Sequence, residues 1–187
     1  FDVEVMMTSA KHRTGSDRTA EVMKRIGGDI IVNIQADNFG LKAAVLDRTI
    51  EKLKKKRSIR FATLARRIRS DEELFNPNTV KVLIGKDGCA RWFSRLPVPY
   101  LQHAKKGVRA DQFGFYAHIG VYFFKRDALV RFAHWKRTPL EKAESLEQLR
   151  ILENEHRITV FKTSVRSVSV DTPHDLKKID MLCKPKR

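Results

Sequence analysis

Asp29-Ile30-Ile31-Val32-Asn33-Ile34-Gln35 is the stretch on which the fold turns, with Asp37 following close behind it. Its apolar residues run almost without interruption, as they do in a strand whose two faces are both covered by helices. Upstream, Thr14-Gly15-Ser16 reads as a helix entrance, Ala20, Val22, Met23 and Ile26 as the apolar face, and Gly27-Gly28 as the stop. Further out, Asp2-Val3-Glu4-Val5-Met6-Met7 alternates with period two and predicts a strand. Downstream, the pattern predicts a helix from about residue 42 to 55 and a strand at Phe61-Ala62-Thr63-Leu64. Strand, helix, strand, helix, strand is the order of an α/β fold, here a Rossmann-like, mostly parallel sheet with covering helices.

The second half has a different texture. Val80-Lys81-Val82-Leu83-Ile84 and Cys89-Ala90-Arg91-Trp92-Phe93 flank Gly85-Lys86-Asp87-Gly88, a hairpin signal with an Asp-Gly turn. A strand is predicted at Ile119–Phe124, helices near 126–134 and 140–154, and short strands at 158–162 and 167–170. Thr172-Pro173 then opens a last helix, with Pro in its first turn. The whole of 1–187 reads as one domain, with about residues 90–155 forming a smaller α+β lobe. No G-x-G-x-x-G or G-x-x-x-x-G-K-[ST] loop occurs, so the strand at Phe1 is not expected to be the first of its sheet.

Charge narrows the partners. The chain carries 38 Lys+Arg against 22 Asp+Glu, a formal net charge of +16, which favours polyanionic ligands. The densest run, Lys52-Leu53-Lys54-Lys55-Lys56-Arg57-Ser58-Ile59-Arg60, has no interleaved aromatic for base stacking. It is expected to be the solvated end of an amphipathic helix, where cations meet the helix C-terminus favourably. A nucleic-acid partner is therefore disfavoured. No apolar run approaches the ~18 residues of a membrane span, so no membrane insertion is expected. Two distant cysteines, Cys89 and Cys183, suit a reducing cytoplasm and exclude a four-thiolate metal site.

Several residues are too polar for their places. Asp37 follows the buried strand and Asp171 ends the strand at 167–170, so both carboxylates are expected at the sheet's carboxyl edge. Two such groups suit one Mg2+, which takes few carboxylates and completes its shell with water and phosphate oxygens. Asp171 before Thr172-Pro173 also suits a helix cap. His118 on an apolar strand reads equally as a core histidine, and Glu147 and Gln148 as polar residues on a helix face. No zincin helix, paired-cysteine site or Gly-x-Ser-x-Gly elbow is present.

Taken in order, these segments carry more. They are His12-Arg13-Thr14-Gly15-Ser16-Asp17-Arg18, Val32-Asn33-Ile34-Gln35-Ala36-Asp37, Phe75-Asn76-Pro77-Asn78-Thr79-Val80-Lys81-Val82, Phe93-Ser94-Arg95, His118-Ile119-Gly120-Val121-Tyr122, Leu146-Glu147-Gln148-Leu149-Arg150 and Val170-Asp171-Thr172-Pro173-His174-Asp175. The series resembles the 3-deoxy-manno-octulosonate (Kdo) cytidylyltransferases, or CMP-Kdo synthetases, over nearly the whole chain. The resemblance implies a sheet of the nucleotide-diphospho-sugar transferase type and transfer of CMP from CTP to Kdo, with pyrophosphate released, for lipopolysaccharide synthesis. It implies that Asp37 and Asp171 hold Mg2+ at the catalytic centre, and that Thr14, Gly15, Arg18 and Gln35 line the nucleotide site. It further implies that Arg95, His118, Tyr122, Glu147 and Gln148 bind the sugar, in a cytoplasmic homodimer.

The departures from the family pattern shape the remaining expectations. Gln35-Ala36-Asp37-Asn38-Phe39 replaces the usual Gln-Gly-Asp-Glu-Pro, Lys11 replaces an acidic residue, and Leu96–Gln102 lacks a further arginine. A sialic-acid-like sugar thus stands beside Kdo as a candidate substrate. The family's opening Leu-Pro-Gly-Lys phosphate-gripping unit has no counterpart here, so the domain reads as N-terminally incomplete. Its 187 residues are expected to turn over CTP poorly, with an inactive binding homologue as the alternative.

Overall fold

The computed structural model describes residues 3–106, 109–165 and 168–169. Its main sheet has six strands in the order β5-β4-β6-β3-β7, with β1 also paired to β6. The strands are β1 (Ile30–Ile34), β2 (Asn38–Phe39), β3 (Phe61–Arg67), β4 (Lys81–Ile84), β5 (Ala90–Ser94), β6 (Tyr116–Lys125), β7 (Ile158–Thr163) and β8 (Val168–Ser169). Strand β3 runs parallel to β7, whereas β6 lies antiparallel to β1, β3 and β4. The α/β class is thus realised as a mixed sheet, in which β1, β3 and β7 share one direction and β6 runs against them. The short β2 and β8 form a separate antiparallel pair.

The decisive stretch behaves as its composition demands. Ile31 of β1 packs into the core beneath α1 (Gly15–Ile26), which contributes Ala20 and Met23. Ile30 and Val32 point the other way, into the core beneath α2 (Ala43–Lys55), which contributes Val45 and Leu53. Alternate side chains of one strand therefore feed two cores. The helix α1 starts where the sequence signals it: the Thr14 side chain accepts from the Asp17 N–H, and Gly27 ends it at φ 80°. The run 52–60 is confirmed as a solvated helix end, with Leu53 buried and Lys52, Lys54, Lys55 and Lys56 exposed. The predicted hairpin joins β4 and β5, with Gly88 at φ 75° in the turn.

Three expectations are corrected. Residues 3–7 form no strand, and Val3, Val5 and Met7 are exposed; alternation alone makes no strand where no described neighbour completes a ladder. The helix expected at 140–154 is two: α6 (Pro139–Glu144) and α7 (Leu149–Glu153), with α5 (Arg126–His134) before them. Ser145 breaks it by adopting the left-handed region at φ 53°. Two short helices were not foreseen, α3 (Asp71–Phe75) and α4 (Arg109–Gln112), which close a small third core around Ile68, Leu74 and Phe115. Asp171 and the helix expected at Thr172 lie outside the described residues.

Candidate active site

The strand β6 organises the site. Along one of its edges it pairs with β1 from Lys125 to Val121 and then with β4 at Ala117. Between those partners the edge changes hands, and there a cleft of about 840 Å³ opens at the carboxyl ends of β1 and β3. The gap in the ladder is stitched by side chain and loop: Asn38 Nδ2 donates to the Gly120 carbonyl (3.2 Å), and the His118 N–H donates to the Val80 carbonyl (2.8 Å). Gly120 leaves room for this bond, since a Cβ there would press on Asn38 Nδ2 at 3.2 Å and push that side chain aside by a few tenths of an ångström.

The break at Ser145 builds the opposite wall. It turns Leu146, Glu147 and Gln148 out of helical register into the cleft, facing Thr14 and Gly15. Glu147 then meets the N-terminus of α1: its Oε2 accepts the Ser16 N–H (3.2 Å) and its Oε1 the Ser16 hydroxyl (2.9 Å). A carboxylate is welcome at that helix end. Burial nevertheless outweighs these bonds and the nearby Arg150, so the Glu147 pKa is raised. Asn33 of β1 completes the contact by donating from Nδ2 to Ser16 Oγ (3.2 Å).

Behind that wall lies a buried ionic network. Arg150, 2% exposed, grips Glu141 with Nε (2.8 Å) and Nη2 (2.6 Å) and reaches Asp17 with Nη1 (3.0 Å). Glu141 is 1% exposed and also accepts from Arg137 Nε. Asp17 in turn accepts from the Thr14 hydroxyl. The network thus ties the N-terminus of α1 to α6 and α7, fixing the distance across the cleft. Sequence reading missed it; the one signal was Arg150 inside an otherwise apolar helical pattern.

His118 and Tyr122 stand on β6 beside the gap. Thr63 sits at a register shift between β3 and β6, and its hydroxyl donates to the Val121 carbonyl (2.7 Å). Its oxygen is then left to accept from His118 Nε2 at 2.8 Å, which places the imidazole proton on Nε2 and leaves Nδ1 an acceptor. Burial lowers the His118 pKa to about 3, so the ring is neutral. Tyr122 donates to Gln148 Oε1 (2.9 Å), and burial, with Glu147 close by, raises its pKa. Gln148 Nε2 is a buried donor with no hydrogen-bond partner among the described residues.

Of the residues singled out in the sequence, Thr14, Gly15, Gln35, Asp37, Arg95, His118, Tyr122, Glu147 and Gln148 all line this one cleft. Arg18 does not: its Nη1 donates to Thr8 Oγ1 and the Ser9 carbonyl, because the helical turn after Thr14 carries it away from the opening. Arg13, within the first of the quoted segments, also lines the cleft, as do Arg66 and Arg137, which were not anticipated there.

Comparison with known proteins agrees with this geometry. The chain matches the cytidylyltransferase family over residues 1–158. It is 46% identical over 184 residues to the 3-deoxy-manno-octulosonate cytidylyltransferase of Geobacter metallireducens, covering 96% of this chain and 72% of that protein. Against the enzyme of the same name from Geobacter sulfurreducens the identity is 43%, covering 96% and 74%. Among solved structures, a CMP:2-keto-3-deoxy-manno-octonic acid synthetase complexed with CTP superposes with a TM-score of 0.82 at 32% identity, over 95% of this chain and 70% of that one. A glucose-1-phosphate thymidylyltransferase from Bacillus anthracis shares the fold at a TM-score of 0.61 and 14% identity. An edge-switching sheet with a polar cleft at its carboxyl ends, matched to these relatives over most of its length, places the chain in the 3-deoxy-manno-octulosonate cytidylyltransferase family.

Proposed function

We propose that the chain transfers CMP from CTP to Kdo, releasing pyrophosphate, in lipopolysaccharide synthesis. The observation that carries this reading is the single cleft in which the nucleotide-side residues Thr14, Gly15, Gln35 and Asp37 face the sugar-side residues Arg95, His118, Tyr122, Glu147 and Gln148. In the reaction, the sugar's anomeric oxygen forms a bond to the α-phosphorus, the bond to the β-phosphate oxygen breaks, and the hydroxyl proton is released. Such a transfer asks the protein mainly for position and charge. The neutral His118, the neutral Tyr122 and the open Gln148 Nε2 supply acceptors and donors matched to sugar hydroxyls. Arg95 supplies the guanidinium for the sugar carboxylate.

Asp37 lies at the cleft beyond β1, and a hard oxygen donor there suits Mg2+, which asks for only one or two carboxylates beside phosphate oxygens. Asp37, with Asp171, would hold the ion. When bound, the ion neutralises charge on the phosphates. Residues 90–155, the source of most of the sugar wall, also provide the contact of a homodimer in this reading. A water-soluble nucleotide and sugar as substrates support a cytoplasmic reaction. Among the described residues no helix is long and apolar enough to cross a membrane. The test is pyrophosphate release from CTP and Mg2+ with Kdo, with a sialic acid in parallel. Pyrophosphate release with Kdo and not with the sialic acid, at the low rate expected of these 187 residues, is the expected outcome; release with the sialic acid alone reassigns the sugar.

A further inference from the structure

Lys81 is the most deeply buried cation beside the cleft, and nothing in the proposed reaction uses it. It begins β4 between Ser94 of β5 and Ala117 of β6, and its side chain is 0% exposed. The ammonium is not wasted on solvent. Nζ donates to the Asn76 carbonyl and to the Arg95 carbonyl, both at 2.7 Å. Those two carbonyls begin and end the loops that border the cleft: Asn78, Thr79 and Val80 follow the first, and Arg95 itself carries the second.

Arg95 is held from every other side as well. Its N–H donates to Glu144 Oε2 (3.0 Å), its Nε to the Glu144 carbonyl (2.8 Å) and its Nη1 to the Pro77 carbonyl (3.1 Å). Glu144 is itself fixed by the Ser94 hydroxyl (3.0 Å). The nitrogen left without a protein hydrogen bond among the described residues is Nη2. A guanidinium with its stem and one arm pinned and one arm open is preset for a carboxylate. The Lys81 bond to the Arg95 carbonyl is the part of this brace that comes from inside the sheet.

We infer that Lys81 is a positioning residue for recognition of the sugar's carboxylate, acting through Arg95. The inference rests on the reading in which Arg95 meets that carboxylate. An apolar residue at 81 would leave the Arg95 carbonyl without this donor and the Asn76 carbonyl with only the Thr79 N–H (3.1 Å). The Asn76–Val80 loop and Arg95 would then part, and the guanidinium would lose its aim. Burial lowers the Lys81 pKa to about 8, against Glu73 and Glu144, which raise it. Those two carboxylates favour the charged form, and the two carbonyls fix where it points.

The experiment is a double-mutant cycle on the full chain, read as equilibrium dissociation constants for Kdo and for CTP by calorimetry. Lys81→Met and Arg95→Ala should each weaken Kdo at least tenfold and leave CTP within twofold. Lys81→Met added to Arg95→Ala should weaken Kdo no further than twofold, because the residue it aims is gone. Lys81→Gln, which keeps a donor, should fall between wild type and Lys81→Met and guards against a variant that does not fold. Leu53→Ala, a destabilising change in the core beneath α2, serves as the stability control and should leave both constants unchanged. Independent, multiplying losses from Lys81→Met and Arg95→Ala overturn the inference, as does equal loss of CTP and Kdo. Arg95→Ala without effect on Kdo overturns the reading of Arg95, and the inference with it. Loss at Arg95 but none at Lys81 overturns the inference alone.

Discussion

Glu147 accepts two hydrogen bonds from Ser16, one from its N–H and one from its hydroxyl, across 131 positions of chain. This pair joins the start of α1 to the segment that follows the break at Ser145, so it closes the floor of the cleft. Its chemistry sets stability against the proposed function, because burial makes the charged carboxylate costly while the proposed sugar recognition calls for it.

Glu147→Gln is therefore expected to stabilise the fold at neutral pH and to impair Kdo binding at least tenfold. The sign follows from the raised pKa: stability contributed by the protonated form is present at low pH and lost as pH rises through the folded pKa. The variant's melting temperature should exceed that of wild type at pH 8 and approach it near pH 4. Each kcal/mol is worth about 2–4 °C in a chain this size. A variant less stable than wild type at pH 8 would refute the assignment.

Arg150→Met is expected to cost about 3–5 kcal/mol, since it leaves Glu141 and Asp17 with a lost partner in the interior. Adding Glu141→Leu should recover part of that loss. Urea denaturation of the single and double variants measures both steps.

His118 should remain neutral from pH 5 to 9, which the chemical shifts of its ring protons report. With a pKa lowered to about 3, it favours the folded state above its ordinary value of 6.5, and that contribution is lost as pH falls from 6.5 toward 3. The slope attributable to this one group is at most about 1.4 kcal/mol per pH unit. His118→Gln should remove that part of the acid sensitivity.

Asp37→Asn should abolish the dependence of CTP affinity on Mg2+ while leaving CTP binding in the presence of chelator unchanged. Titration of CTP with and without the ion measures it directly. An intact Mg2+ response would move the metal away from Asp37.

Replacing Lys54, Lys55 and Lys56 together with Gln should leave CTP affinity within twofold, because these side chains project into solvent and none lines the cleft. A loss of tenfold or more would show that the basic helix end contributes to nucleotide capture.

The helices α1, α2 and α5 were legible because each carries an apolar face at helical spacing, and α1 also a clear start at Thr14 and stop at Gly27. The residues of the cleft were legible only as a series, since each alone had an ordinary structural explanation. What sequence could not reveal were interactions between distant segments. The apolar pattern through Leu140, Leu146, Leu149 and Leu152 continues across Ser145, where the helix breaks and Glu147 goes on to meet Ser16. Lys81 and Arg150 likewise look like solvent-seeking cations until carbonyls and carboxylates from elsewhere surround them. Arg18 matched by position and failed by direction, because one helical turn decides where a side chain points.

The edge change along β6 also bears on how the protein breathes. This strand hydrogen-bonds to β1, β3 and β4, so both of its edges are paired along most of their length. His118 and Tyr122 ride on that strand, whereas Thr14, Asp37 and Arg95 sit on turns and loops around it. Local openings draw on the loops long before they reach the central strand. The cleft residues on β6 are thus expected to open less readily than those on the surrounding loops. A ligand in this cleft would meet its steadiest contacts on β6.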